Sequence, residues 1–230
     1  MISKRSFLYI SIMKTLLSFS FFILSFSVFA QKSDSTRMRY RIIRGGLIEH
    51  STTLKSNRYV KNGWAEIKSG RDLLATGVYK DGERYGRWRF FRGPDSLEQV
   101  YNYTSRKLEY NNPPEQVSYK IDDLKEGDVI KYPAKIGGYF TSLHFLIRKF
   151  SPPMEFKAYP GIHTVLIIFH IDEHGKLVKY ETETGKGTYL KKDSLNLKKF
   201  RSEDLEFVPA YRNDKPVSSK LIYQGKLTVN

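Results

Sequence analysis

The sequence predicts an α+β protein of two modules: antiparallel β-hairpins first, then a domain in which a three-stranded antiparallel sheet carries two helices on one face. Three observations carry this expectation. Pro160–Ile171 is a β-branched apolar run that turns at Asp172–Gly175 and returns through Leu177–Thr182. Phe140, Leu143, Leu146, Ile147 and Phe150 recur at helical spacing just before it. Between Lys61 and Tyr110, Gly-containing turns punctuate short aromatic-ended runs.

Composition narrows the function classes. The chain contains 16 Tyr and 15 Phe, which suits sheet surfaces, and no Cys. Disulfides, thiolate metal sites, Cys nucleophiles and a lipid-modified N-terminal Cys are therefore excluded. The formal charge of +15 divides as +3, +7 and +5 over residues 1–30, 31–125 and 126–230. A charge spread this evenly lacks the concentrated patch of a nucleic-acid binder, so no nucleic-acid partner is predicted.

Taken in order, residues 1–30 read as an export signal. Lys14 precedes the apolar run Thr15–Ala30, which ends Val28-Phe29-Ala30, where a signal peptidase cuts. Met13-Lys14-Thr15 is itself a good leader start, so the true start is Met1 or Met13. The alternative is an uncleaved inner-membrane anchor, for which a run shorter than about 20 apolar residues is marginal. Residues 31–60 form a polar, basic arm in which Arg37, Arg39, Arg41 and Arg44 alternate around Met38, Tyr40 and Ile42. Both an edge strand and a loose arm fit that alternation.

Residues 61–110 carry turn signals at Asn62-Gly63, Ser69-Gly70, Asp81-Gly82 and Gly93-Pro94-Asp95. Gly77 shares a face with Tyr79, and Gly86 with Trp88 and Phe90. A Gly facing an aromatic lets the ring lie flat over bare backbone. This G-x-Y…G-x-W-x-F pattern resembles the MORN-like repeat of antitoxin-type bacterial proteins, which implies a scaffold with no catalytic residue. Residues 111–125, with Pro113-Pro114, read as a linker. The acids Asp122, Asp123, Glu126 and Asp128 lack the order of a calcium loop.

Residues 126–230 supply the second module. Gly137-Gly138 precedes the helix Tyr139–Phe150, Arg148 and Lys149 suit its C-terminal end, and Pro152-Pro153 stops it. In Pro160–Ile171 both faces are apolar, which marks a central, covered strand. Gly175 supplies the left-handed turn residue. Lys191–Arg201 is read as a short basic helix on the spacing of Leu195, Leu197 and Phe200, and Val217–Val229 as a strand wet on one side.

Pro133, Gly137-Gly138, the helix, Tyr159-Pro160, Gly175-Lys176-Leu177, Phe207-Val208-Pro209-Ala210 and Asp214-Lys215-Pro216-Val217 together resemble the TonB C-terminal domain family, in the form found in Bacteroidetes envelope proteins. His163 departs from that pattern, standing near where a Gly is common. The resemblance implies a periplasmic domain that adds an extended partner segment to a sheet edge, with a protein partner such as an outer-membrane transporter or another envelope protein. It implies pairing along the last strand, at Val217, Ser219, Lys220, Leu221, Ile222, Tyr223, Gln224 and Lys226. On the same view Leu221→Pro disables that edge, and the lysines either select an acidic peptide or guard against aggregation. A transducer also needs a long Pro-rich spacer, and none lies between Ala30 and Pro133.

Catalytic and metal sites are not predicted. His163 and His170 differ by an odd number along a strand and so face opposite ways, while His174 lies in a turn. Gly185-Lys186-Gly187-Thr188 lacks the earlier glycine of a phosphate loop, where Tyr180 stands. No nucleophile elbow or zinc-protease motif occurs. The expectation is a non-enzymatic, cofactor-free, exported periplasmic binding protein. One alternative is a membrane-anchored energy transducer for outer-membrane transport, the other a hydrolase built on the β module.

Overall fold

The computed structural model describes residues 35–94, 96–186 and 189–229. The predicted leader, residues 1–30, lies outside them. Seven strands form one antiparallel meander in chain order: β1 Thr36–Ile42, β2 Ile48–Leu54, β3 Lys61–Ser69, β4 Asp72–Lys80, β5 Glu83–Phe91, β6 Leu97–Asn102 and β7 Lys107–Asn111. Of the two readings open for the basic arm, the strand is the one found: β1 and β2 extend the meander, with β1 at its edge.

The glycine–aromatic pattern has the predicted consequence at one of its two positions. The Trp88 indole lies on the backbone of Gly77, where a Cβ would come within 2.5 Å of its Cγ and Cε2, and Trp88 Nε1 donates to the Val78 carbonyl at 3.0 Å. Trp88 and Phe90 are fully buried with Ala65, Ile67 and Ala75. Gly86 instead supplies a positive φ of 60° beside the β4–β5 irregularity, and nothing lies over it.

The remainder corrects the expected α+β domain. Short strands β8 Val117–Lys120, β9 Ile130–Lys131 and β10 Ala134–Lys135 come first. A nine-residue helical segment follows, a π-turn at Tyr139–Leu143 running into α1, His144–Ile147. After it come β11 Gly161–Ile171, β12 Leu177–Lys186, β13 Tyr189–Leu195, β14 Phe207–Val208, β15 Ala210–Arg212, β16 Lys215–Val217 and β17 Ser219–Val229. The main sheet has five strands in the order β13-β12-β11-β17-β8, not three.

Both extra strands come from segments read as something else. Val117–Lys120, placed within the linker, pairs with Lys220–Tyr223. The predicted helix Lys191–Arg201 is β13, followed by single 3-10 turns at Leu197–Lys199 and Ser202–Leu205. β13 makes seven register pairs with β12, whereas an isolated helix that short is unstable in water. The fold is thus predominantly β, with one short helix among the described residues of this half. β11 is central as expected, between β12 and β17.

The helical segment is two-sided. Leu143 and Leu146 bury against Val165, Ile167, Phe169 and Tyr180 of the five-stranded sheet. Phe140, expected on that same face, packs with Phe145 against the core of the seven-stranded sheet. The segment is therefore a wedge shared by both sheets, and its π-turn opening rotates Phe140 away from the stripe that an ideal helix would give.

Candidate functional site

A strand at a sheet edge offers every second peptide group to a partner. In β1 the direction of those groups follows from its pairing. Lys55 N–H donates to the Ser35 carbonyl at 2.7 Å and Ile43 N–H to the Leu47 carbonyl at 2.8 Å. Both pairs fall on the register Arg37↔Thr53, Arg39↔Ser51 and Arg41↔Glu49. The odd residues therefore bond inward to β2. The N–H and C=O groups of Thr36, Met38, Tyr40 and Ile42 point outward, along an edge where no described strand lies.

The side chains of β1 are sorted by face. Met38, Tyr40 and Ile42 project from one face and are 47%, 70% and 77% exposed. Tyr40 is held edge-on against His50 at 4.4 Å. Arg37, Arg39 and Arg41 project from the other, and Arg39 Nε is buried without a hydrogen-bond partner. Burial, then the neighbouring Arg37, Arg58 and Arg41, push the Arg39 guanidinium below the ordinary arginine range. Glu49, opposite Arg41 in β2, is engaged elsewhere: Lys61 Nζ lies 2.6 Å from its Oε2, and Tyr79 donates to its Oε1 at 2.7 Å. Among the described residues no carboxylate neutralises the three arginines.

The strand expected to accept a partner is mostly occupied. Val217 belongs to β16 and pairs with Ala210 in a separate small sheet. Gln224 N–H donates to the Gln116 carbonyl at 2.9 Å, on the register Lys220↔Lys120 and Ile222↔Ser118. Lys220, Ile222 and Gln224 thus spend their peptide groups on β8, while Leu221 and Tyr223 pair with β11. Ser219 and Leu221 are buried. Only Lys226 and Thr228 keep outward peptide groups, so the open part of this edge is short. No local signal marks this pairing, because β8 is four residues long and follows a Pro-Pro pair.

The junction between the sheets escaped sequence reading. Gln99 in β6 donates from Nε2 to the Lys135 carbonyl at 3.0 Å, and its Oε1 accepts from Gly137 and Gly138 N–H at 2.8 and 3.2 Å. Glu98 Oε1 accepts from Tyr139 N–H at 2.9 Å, so both residues cap the helical segment from another sheet. Lys135 is buried over the Phe207 ring and donates to the Glu203 and Glu206 carbonyls at 2.7 and 2.6 Å. Burial lowers its pKa to about 7, against the pull of Asp204, Glu206 and Glu203. Arg44 reaches across from the turn after β1 to Asp204 at 2.5 Å and stacks on Phe145. A cleft beside Glu98 and Gln99 has room for about one water. Every polar group named here except Glu98 Oε2 is matched, so the junction reads as a structural joint.

The remaining candidates are separate from one another. His163 is buried, with Nε2 at 2.7 Å from the Tyr159 carbonyl and its ring against Phe156. His170, on the opposite face, pairs with Glu181. Asp128 is spent on Lys125 N–H and Asn213 Nδ2 at 2.9 and 2.7 Å. Gly187 and Thr188 lie outside the described residues. Among those described, no group of three His, Asp or Glu converges on a metal position, and no helix is long and apolar enough to cross a membrane. In the charged cluster on the β module, Glu49 and Tyr79 are buried and Lys61 half-buried, and the three groups bond to one another.

A scan of family models matches none to this chain, and comparison with curated proteins and with solved structures returns no match either.

Proposed function

We propose that the chain is a non-enzymatic, exported cell-envelope protein that binds an extended segment of a membrane or periplasmic partner by adding it as a strand to one of its sheets. One observation carries this reading: the run of outward peptide groups at Thr36, Met38, Tyr40 and Ile42, which no strand among the described residues pairs. A strand laid along that edge satisfies those groups, the backbone bonds supplying affinity and the alternating side chains selectivity. Export rests on the Lys14–Ala30 run. The likeness of Phe207–Ala210 and Asp214–Val217 to TonB C-terminal motifs favours a partner in the outer membrane. It extends to strand addition, not to the three-stranded α+β architecture.

The test combines photo-crosslinking in cells with the N-terminal mass of the native protein. A photoreactive residue at Tyr40 or Lys226 is expected to trap an envelope protein, while one at Glu66, inside the meander, traps none. Absence of adducts at every edge position overturns strand addition. A chain beginning at Gln31 in the soluble periplasm supports a diffusible binder. An intact N-terminus in the inner membrane instead makes the chain an anchored transducer.

A further inference from the structure

We propose that the acceptor edge is β1 and that it selects an extended peptide in which acidic and apolar residues alternate. This deepens the strand-addition reading above and rests on it. A peptide strand paired to β1 places its own side chains alternately on the two faces of the sheet. On one face they meet Arg37, Arg39 and Arg41, none of which forms an ion pair with a described carboxylate, Glu49 opposite Arg41 being paired with Lys61. On the other they meet the exposed Met38, Tyr40 and Ile42. Carboxylates at every second position answer the first row, and apolar side chains between them cover the second. Alternation of the two answers both rows at once.

The competing occupants fit less well. A second copy paired edge to edge about a twofold axis sets outward residues against outward residues, so arginine faces arginine across the new interface. Like charges directly opposite are destabilising, and the arginines thus guard the edge against self-association. An anionic membrane surface answers the arginines but leaves the outward N–H and C=O groups unpaired. The open part of β17 offers only Lys226 and Thr228, half the outward residues of β1.

Proline isolates the edge. Met38 N–H points away from β2, so Met38→Pro removes a donor offered to the partner without removing a bond of the meander. Lys226→Pro does the same at β17. The probes are blocked peptides of about seven residues, long enough for one strand: alternating Glu and Val, alternating Lys and Val, and the Glu–Val composition in block order. Binding to the full chain is read by fluorescence anisotropy, with circular dichroism reporting the fold of each variant.

The alternating acidic peptide is expected to bind best and to weaken with salt. Met38→Pro is expected to lower its affinity by about tenfold or more. Arg37→Glu with Arg39→Glu and Arg41→Glu is expected to move the preference to the Lys–Val peptide, which keeps the test open if the proline disturbs folding. Equal binding of the block-order peptide, or retention by the charge-reversed chain, overturns the proposal. If Lys226→Pro abolishes binding and Met38→Pro does not, the β1 assignment falls while strand addition stands. If neither proline matters, β1 and β17 are both excluded as the acceptor and the proposal falls, with strand addition left to the outer strands β7 and β13. Tighter binding to phosphatidylglycerol vesicles, unaffected by Met38→Pro, reassigns the arginines to a membrane surface and also overturns it.

Discussion

Trp88 uses Gly77 as its floor: the indole covers the glycine so closely that a Cβ would stand 2.5 Å from its Cγ and Cε2. The bare backbone allows this one of the meander's two tryptophans to be fully buried at 0% exposure while its Nε1 still reaches the Val78 carbonyl. Gly77→Ala therefore forces the ring off its seat. A loss of about 1–3 kcal/mol is expected, the usual cost of overpacking. Denaturant unfolding followed by Trp fluorescence measures it, and an unchanged midpoint would contradict the close approach.

Gln99→Leu tests the joint between the sheets. The substitution leaves Gly137 and Gly138 N–H buried without acceptors and the Lys135 carbonyl without its donor. Each orphaned group costs about 1–3 kcal/mol. Gln99→Glu retains the acceptor for the two glycines but loses the donations to the Lys135 carbonyl and to Asn111 Oδ1, so the two variants differ at the glycine amides. Hydrogen exchange at the glycine amides distinguishes the two, with fast exchange in Gln99→Leu and protection in Gln99→Glu.

Lys135 makes stability depend on pH in a defined direction. Burial holds its pKa near 7 in the folded chain, far below the unfolded value near 10.5. Between those values the unfolded chain binds the proton and the folded chain does not, so stability rises with pH across this window. Below pH 7 both states are charged and the gain is lost. The neutral amine still has two N–H groups for the Glu203 and Glu206 carbonyls. Relative to Lys135→Met, the native chain is expected to gain about 2 kcal/mol between pH 7 and 9. Equal pH slopes for the two proteins in urea unfolding would rule this out.

Leu221→Pro is not a clean probe of partner binding. Leu221 is 2% exposed, and its peptide group belongs to the ladder with Phe169 of the central strand. Proline there breaks the five-stranded sheet and is expected to cost about 3 kcal/mol or more. Lys226→Pro leaves that ladder intact and is expected to melt close to the native temperature. Thermal unfolding by circular dichroism separates them.

Legibility followed the range of each interaction. The β11–β12 hairpin was readable because its signals are adjacent: β-branched runs on either side of Asp172–Gly175, where Gly175 adopts a φ of 77° and a Cβ would collide with the Phe207 carbonyl. The glycine-for-aromatic exchange at Gly77 and Trp88 was readable for a similar reason, since neighbouring strands carry it. β13 was misread because Leu195, Leu197 and Phe200 imitate helical spacing, while its pairing with β12 cannot be seen in the spacing. The helical segment was found, but its second face was not, because Phe140 and Phe145 turn towards a sheet built from an earlier part of the chain. Glu98 and Gln99 carried no local signal as caps for a helical start some forty residues later.

The sequence by itself determined the strand-rich character, the central position of β11, the turn residues and the alternation of arginine with apolar side chains along β1. These depend on a period of two and on backbone sterics, both local. Only the tertiary structure decided which edges stay open. An edge is open or closed according to whether a distant segment pays the loop-closure entropy to lie beside it, as Val117–Lys120 does for β17 and no described segment does for β1.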